Sequence, residues 1–195
     1  LIVPRRWRPF TYLIEKSYSG SEGRVREGPF KGMQYISRAY YSAYIPKLLG
    51  IYEREVAPAV EAACALRPDR IVDIGAAEGY YAVGMAMRVV AFETDSAARE
   101  MLGEMCSLNG VGQAVEIRGM CEADGLRESL DAATRPLVIC DCEGFEREVL
   151  DPARVPALKS AWMLVEMHDF LVPGLTEELI ARFSATHDIE RIEQE

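Results

Sequence analysis

From residue 70 onward the chain alternates between two rhythms. Short, nearly unbroken apolar runs appear at RIVDIG (70–75), VVAFET (89–94), AVEIRG (114–119), PLVICDC (136–142) and AWMLVEMH (161–168). Between them, GYYAVGMAM, AAREMLGEMCSL, GLRESLDAA, EREVLDPA and TEELIARF place apolar residues three and four apart. The first rhythm reads as strands buried on both faces and the second as amphipathic helices. HDIERI (187–192) reads as the start of a sixth strand. Strand and helix in strict alternation predict an open, mostly parallel sheet with helices on both sides. Ser96 is the expected N-cap of the long helix, and Asn109-Gly110 its stop.

Two places strain that pattern. The helix after the first strand runs almost directly into Val89, whereas a parallel crossover needs roughly a dozen residues or more. Residues are therefore expected to be missing near Met87–Val89, and also beyond Glu195, where the chain stops at the sixth strand.

The first third differs. Residues 1–32, rich in Arg, Gly, Ser and Pro, have no steady period and read as an irregular basic arm. Residues 33–66 carry apolar and aromatic residues at helical spacing and predict two helices, broken near Pro46 or Gly50. Their tyrosines (Tyr35, Tyr40, Tyr41, Tyr44 and Tyr52) read most simply as packing residues with wetted hydroxyls. These helices are expected to cover the substrate side or to mediate a homodimer. Residues 67–195 form the main domain.

Charge narrows the partners. Residues 1–31 hold seven Lys/Arg against three Glu, so a net charge of −9 divides into +4 there and −13 elsewhere. An acidic body argues against nucleic acid as a partner. No apolar run approaches the ~18 residues of a membrane span, and no signal peptide is apparent. The five cysteines are odd in number and irregular in spacing. They read as reduced, mostly buried thiols of a cytoplasmic protein.

In an open α/β sheet, ligands sit beyond the carboxyl ends of the strands. Here nearly every strand ends in an acid: Asp73, Glu93, Glu122, then Asp141 and Glu143, then Glu166 with His168 and Asp169. The loop IVDIGAAEGYY has two glycines four apart but lacks G-x-G-x-x-G, and Asp73 and Glu78 would repel a pyrophosphate. A cationic ligand without phosphate reverses the sign. S-adenosylmethionine (SAM) carries an ammonium and a sulfonium. Asp73 would draw its amino-acid end, while Gly75, Ala76 and Gly79 let the backbone come close. Glu93, ending the second strand, would accept the ribose hydroxyls. Met120, Cys121 and Glu122 follow the third strand, where an adenine face would lie.

DIGAAEG, AFETD and the Asn109-Gly110-Val111 helix end, taken in order, resemble the motifs of class I SAM-dependent methyltransferases. CDCEGFEREVL and LVEMHDF resemble the D-x-E-G-x-E and E-x-H segments of the FkbM-type methyltransferases. GPFKGMQY and LLGIYEREV resemble segments preceding that core, so the likeness spans about Gly28 to Arg191. It implies a Rossmann-like three-layer sandwich whose seventh, antiparallel strand would lie beyond this chain. It also implies methyl transfer, commonly to an oxygen of a small molecule, sugar or natural product.

A hydroxyl acceptor must lose a proton. Asp141, Glu143, Glu166 and His168 stand at the right end of the sheet, with His168 a candidate general base. Asp141 also counts among the residues near the cofactor. The same four could gather a divalent metal, the less favoured reading. A lone histidine on a strand is also commonly structural, and Asp141 and Glu143 could brace loop amides. His187 is assigned no role. Two other classes stay open: an NAD-binding Rossmann enzyme, and a non-catalytic methyltransferase-like module that binds a partner through its arm and Tyr-rich helices.

Overall fold

The computed structural model describes residues 16–40 and 43–193. The first fifteen residues and Tyr41 lie outside the described residues. Five strands form one sheet: β1 (Arg70–Ile74), β2 (Val89–Phe92), β3 (Val115–Arg118), β4 (Pro136–Cys140) and β5 (Trp162–Val165). Their order is β3-β2-β1-β4-β5, every pair parallel. The chain winds outward from β1 to β3, then returns to place β4 against the other side of β1. That reversal opens a crevice above the carboxyl ends of β1 and β4.

After a short helical stretch at residues 16–21, within the arm expected to be irregular, the helices are α1 (Tyr44–Leu49), α2 (Ala57–Ala65), α3 (Tyr80–Gly84), α4 (Ser96–Leu108), α5 (Ala123–Leu130), α6 (Glu146–Val149) and α7 (Leu175–Phe183). Successive strand residues point to opposite faces, so the apolar runs feed two cores. Ile71, Val89, Ala91, Leu137 and Ile139 pack with Leu102 and Met105 of α4 and with Val25, Phe30, Tyr35, Leu48 and Val60 from the first third. Val72, Ile74, Val90, Phe92, Val138 and Cys140 pack with Leu126 and Leu130 of α5 and with Leu175, Leu179 and Phe183 of α7. The arm therefore contributes Val25 and Phe30 to the first of these cores. Phe30 meets Tyr80 edge-on at 5.0 Å. Gln34 exchanges backbone hydrogen bonds with the Asn109 side chain at the end of α4.

Several expectations need correcting. Residues 33–40 are not helical. Pro46 sits inside the first turn of α1, where its missing N–H costs nothing, and Gly50 ends that helix at φ +80°. The cap of α4 is Asp95, whose Oδ1 accepts from the Ala97 and Ala98 N–H groups; Ser96 is already helical. The crossover closes in register, Ile71 against Val89, because residues 75–88 need only the five-residue α3. HDIERI pairs with nothing as a strand among the described residues. Finally, β4 ends at Cys140; residues two apart share a strand face, and the Cys140 and Cys142 thiols lie 3.5 Å apart. No cysteine is in a disulfide. Among the described residues no helix is long and apolar enough to cross a membrane.

Candidate active site

The crevice is a cavity of about 700 Å³. Asp73, Gly75, Ala76, Glu93, Met120, Cys121, Asp141, Glu143, Glu166 and His168 all line it, so ten of the positions marked by sequence converge on one space. Gly79 and Glu122 do not line it. A Cβ on Gly79 (φ +92°) would lie 2.1 Å from Leu102 Cδ1, so this glycine lets the start of α3 press on α4. Glu122 is an exposed residue at the N-cap of α5. Gly75 also has a packing reason: at φ +84° its Cβ would stand 1.6 Å from the Asp141 carbonyl oxygen. The close approach there is between the β1 and β4 loops.

At the β1–β2 end, the acids are tied to donors. Glu93 Oε2 accepts from the Ala77 N–H at 2.9 Å and Oε1 from the Asp95 N–H at 2.8 Å. The first bond holds Ala77 in the left-handed region, φ +47°. A carboxylate has about four acceptor positions, so lone pairs stay available toward the cavity. Glu78 is fully buried. It accepts from Tyr35 Oη at 2.5 Å, Lys47 Nζ at 2.8 Å and the Tyr40 N–H at 3.3 Å. It thereby pins the first third of the chain to the glycine loop. Lys47, a charge inside the apolar helix YIPKLL, also lies 4.7 Å from the centre of the Tyr52 ring. The Tyr35 hydroxyl is thus bound rather than wet; that of Tyr44 is buried without a hydrogen-bond partner among the described residues.

Asp73 is 3% exposed, and its Oδ2 has no hydrogen-bond partner among the described residues. Burial, followed by repulsion from Asp141, pushes its pKa up to about 7. Met120 is half-exposed, and burial raises the Cys121 thiol to about 12, which makes it an inert, apolar wall.

At the β4–β5 end the acids face one another. His168 is buried, with Nδ1 2.8 Å from Glu146 Oε1. Its Nε2 looks toward Asp141 Oδ1 at 3.5 Å and Glu143 Oε2 at 3.7 Å. Both β strands have ended here: Glu143 takes φ +54° and Gly144 φ +96°, which turns the acid back over the cavity. Burial, then repulsion from Glu166, raises the Asp141 carboxyl; burial, then Glu53, raises Glu166. Glu53, itself at φ +46°, accepts a hydrogen bond from Tyr81 Oη.

Sequence reasoning gave no role to Glu146, Lys47 or Glu53. Glu146 stood in the D-x-E-G-x-E segment, the one usable signal. Asp169 accepts from the Thr176 side chain and backbone and braces the turn before α7 instead of entering the cavity. His187 bonds the Ala161 carbonyl.

No family model matches the chain, and no curated protein does. Solved structures resemble it more distantly. A putative O-methyltransferase from Klebsiella pneumoniae aligns at 16% identity over 92% of this chain and 80% of that one, TM-score 0.49. The O-methyltransferase from Bacillus cereus in complex with SAH aligns at 16% identity over 87% and 77%, TM-score 0.48. The O-methyltransferase TomG from Streptomyces achromogenes, involved in tomaymycin synthesis and in complex with SAM, aligns at 21% identity over 66% and 67%, TM-score 0.47. The Rossmann-like fold itself rests on the sheet order and winding described above.

Proposed function

We propose that this protein is a SAM-dependent methyltransferase acting on an oxygen of a small-molecule or sugar acceptor, of the FkbM type. The observation that carries the reading is the buried, half-unpartnered Asp73 in the same cavity as Glu93. A pyrophosphate would meet both carboxylates there, with Lys47 on the same cavity wall. A ligand bearing an ammonium and a sulfonium gives Asp73 Oδ2 the partner it lacks among the described residues, and Glu93 keeps lone pairs for ribose hydroxyls. The apolar Met120 and Cys121 walls suit an adenine face. The acceptor then lies toward Asp141, Glu143, Glu166 and His168. Its oxygen attacks the methyl carbon in line with the C–S bond, the sulfur keeps the electron pair, and the hydroxyl proton leaves into the acidic end. Positioning and exclusion of water supply much of the rate gain. The FkbM assignment is supported by the way Asp141, Glu143 and Glu146 of one segment meet His168 of the other.

Calorimetric titration of the intact chain with S-adenosylhomocysteine (SAH) tests this. One-site binding is expected, and a folded chain that fails to bind overturns the reading. Glu93→Gln removes a charged acceptor from the ribose position, where such hydrogen bonds contribute about 1.5–3 kcal/mol. The SAH affinity is expected to fall roughly 10- to 100-fold.

A further inference from the structure

Asp141, Glu143 and His168 offer one donor atom each, all within 4.8 Å of one another. The separations from His168 Nε2, 3.5 Å to Asp141 and 3.7 Å to Glu143, are too long for hydrogen bonds of about 2.7–3.2 Å. They match two ligands on one ion: donors about 2.1 Å from a tetrahedral centre lie roughly 3.4 Å apart.

The imidazole is fixed in the orientation that matters. Its side chain is 4% exposed, and Nδ1 is 2.8 Å from a carboxylate that is itself wholly buried. Glu146 Oε1 already accepts the Cys142 N–H, and as an acceptor it takes the Nδ1 hydrogen as well, leaving Nε2 to present a lone pair. A histidine held by a buried carboxylate on one nitrogen, with the other aimed at two more carboxylates, is the arrangement that positions a metal ligand. Glu146 also accepts from the Cys142 N–H at 3.1 Å, which locks the β4 loop to the same carboxylate. The left-handed backbone at Glu143 brings in the third donor.

We propose that Asp141, Glu143 and His168 bind a divalent transition-metal cation, with Glu146 as the positioning residue. One imidazole and two carboxylates suit zinc, manganese or cobalt better than magnesium or calcium. Three protein ligands leave a coordination position open to the cavity for water or an acceptor oxygen. Only this last step rests on the methyl-transfer reading. A bound acceptor hydroxyl would give its proton to Glu166, which lines the same cavity and is not a ligand, and attack as the alkoxide. The O–C bond forms, the C–S bond breaks, and the pair stays on the sulfur of neutral SAH.

The test is titration of the chelator-stripped full chain with Co²⁺, followed by visible absorption and calorimetry. One equivalent is expected to bind, with a ligand-field band that Zn²⁺ displaces. His168→Ala and Glu143→Gln should each weaken binding roughly tenfold or more, and Glu146→Gln should weaken it and shift the band. Glu143 is exposed, so its variant keeps the test available if His168→Ala does not fold. Absence of stoichiometric binding, or binding that Glu143→Gln and Glu146→Gln leave unchanged, overturns the site. A parallel SAH titration separates the two readings. A chain that binds SAH but not Co²⁺ loses only the metal, and one that binds Co²⁺ but not SAH loses only the methyl transfer.

Discussion

At the β1–β2 end of the cavity each of three carboxylates meets donors; at the β4–β5 end the carboxylates meet one another. Glu78 takes a lysine, a tyrosine and an amide, Glu93 takes two amides, and Asp95 takes two more. Asp141, Glu143 and Glu166 instead crowd around one imidazole, and burial with mutual repulsion raises Asp141 and Glu166. An acid met by donors fixes a loop and costs stability when removed. An unsaturated cluster is held together by the rest of the fold against its own repulsion, and a cation relieves it. Asp73 falls between the two, with one oxygen unpartnered.

The largest effect that sharpens this contrast is expected at Glu78. Its side chain is wholly buried and that of Lys47 is 4% exposed. Glu78→Ala leaves an ammonium in the core without its carboxylate. Breaking one partner of a buried pair costs about 3–5 kcal/mol, to be read as a lowered urea midpoint. Replacing both, Lys47→Met with Glu78→Leu, should recover most of that loss. A Glu78→Ala protein as stable as the parent would remove Glu78 from the architectural set.

Asp73 gives a smaller effect with a defined sign. Its folded pKa, about 7, lies above its ordinary value of 3.8. Between those values the folded chain holds a proton that the unfolded chain has released. Stability therefore falls as pH rises from about 4 and levels off above about 7. Asp73→Asn should flatten part of that slope in denaturation curves taken across the range. Ligand binding should run the opposite way: SAM and SAH share the ammonium of the amino-acid end, so both should bind more tightly as pH passes 7 and Asp73 ionises. An SAH affinity that stays flat across that range, or that rises equally in Asp73→Asn, would count against Asp73 as the counter-charge.

The sheet was legible because parallel strands buried on both faces must be apolar runs, and each run ended where the strand ended. The acids were legible for a related reason: the winding order puts every strand's carboxyl end on one rim. What was illegible depended on partners distant in sequence. Glu78 reads as a loop acid until Tyr35 and Lys47 reach it, and Gly79 as a ligand glycine until Leu102 fills the space its Cβ would take. HDIERI alternates well enough for a strand, but the pattern alone supplies no neighbour to pair with.

The smallest test separates two adjacent residues. In ETDSAARE, Asp95 and Ser96 are both good capping types, and composition alone favours neither. Geometry decides: Asp95 has extended dihedrals, φ −80° and ψ 127°, and reaches the Ala97 and Ala98 amides, whereas Ser96 is helical. Its carboxyl is held below the usual range by a hydrogen bond from Tyr40 and by those amides. Its contribution is therefore present above the ordinary carboxylate pKa and is lost as pH falls through the lowered one. Asp95→Ala is expected to lower the melting temperature by roughly 2–4 °C at neutral pH, and Ser96→Ala to leave it unchanged. Because Asp95 also donates its N–H to Glu93, Asp95→Ala keeps that backbone bond and should leave SAH affinity near the parent value. A large loss of affinity would mean that the cap and the ribose carboxylate act as one unit, and the boundary between architecture and binding site would then have to move into the first turn of α4.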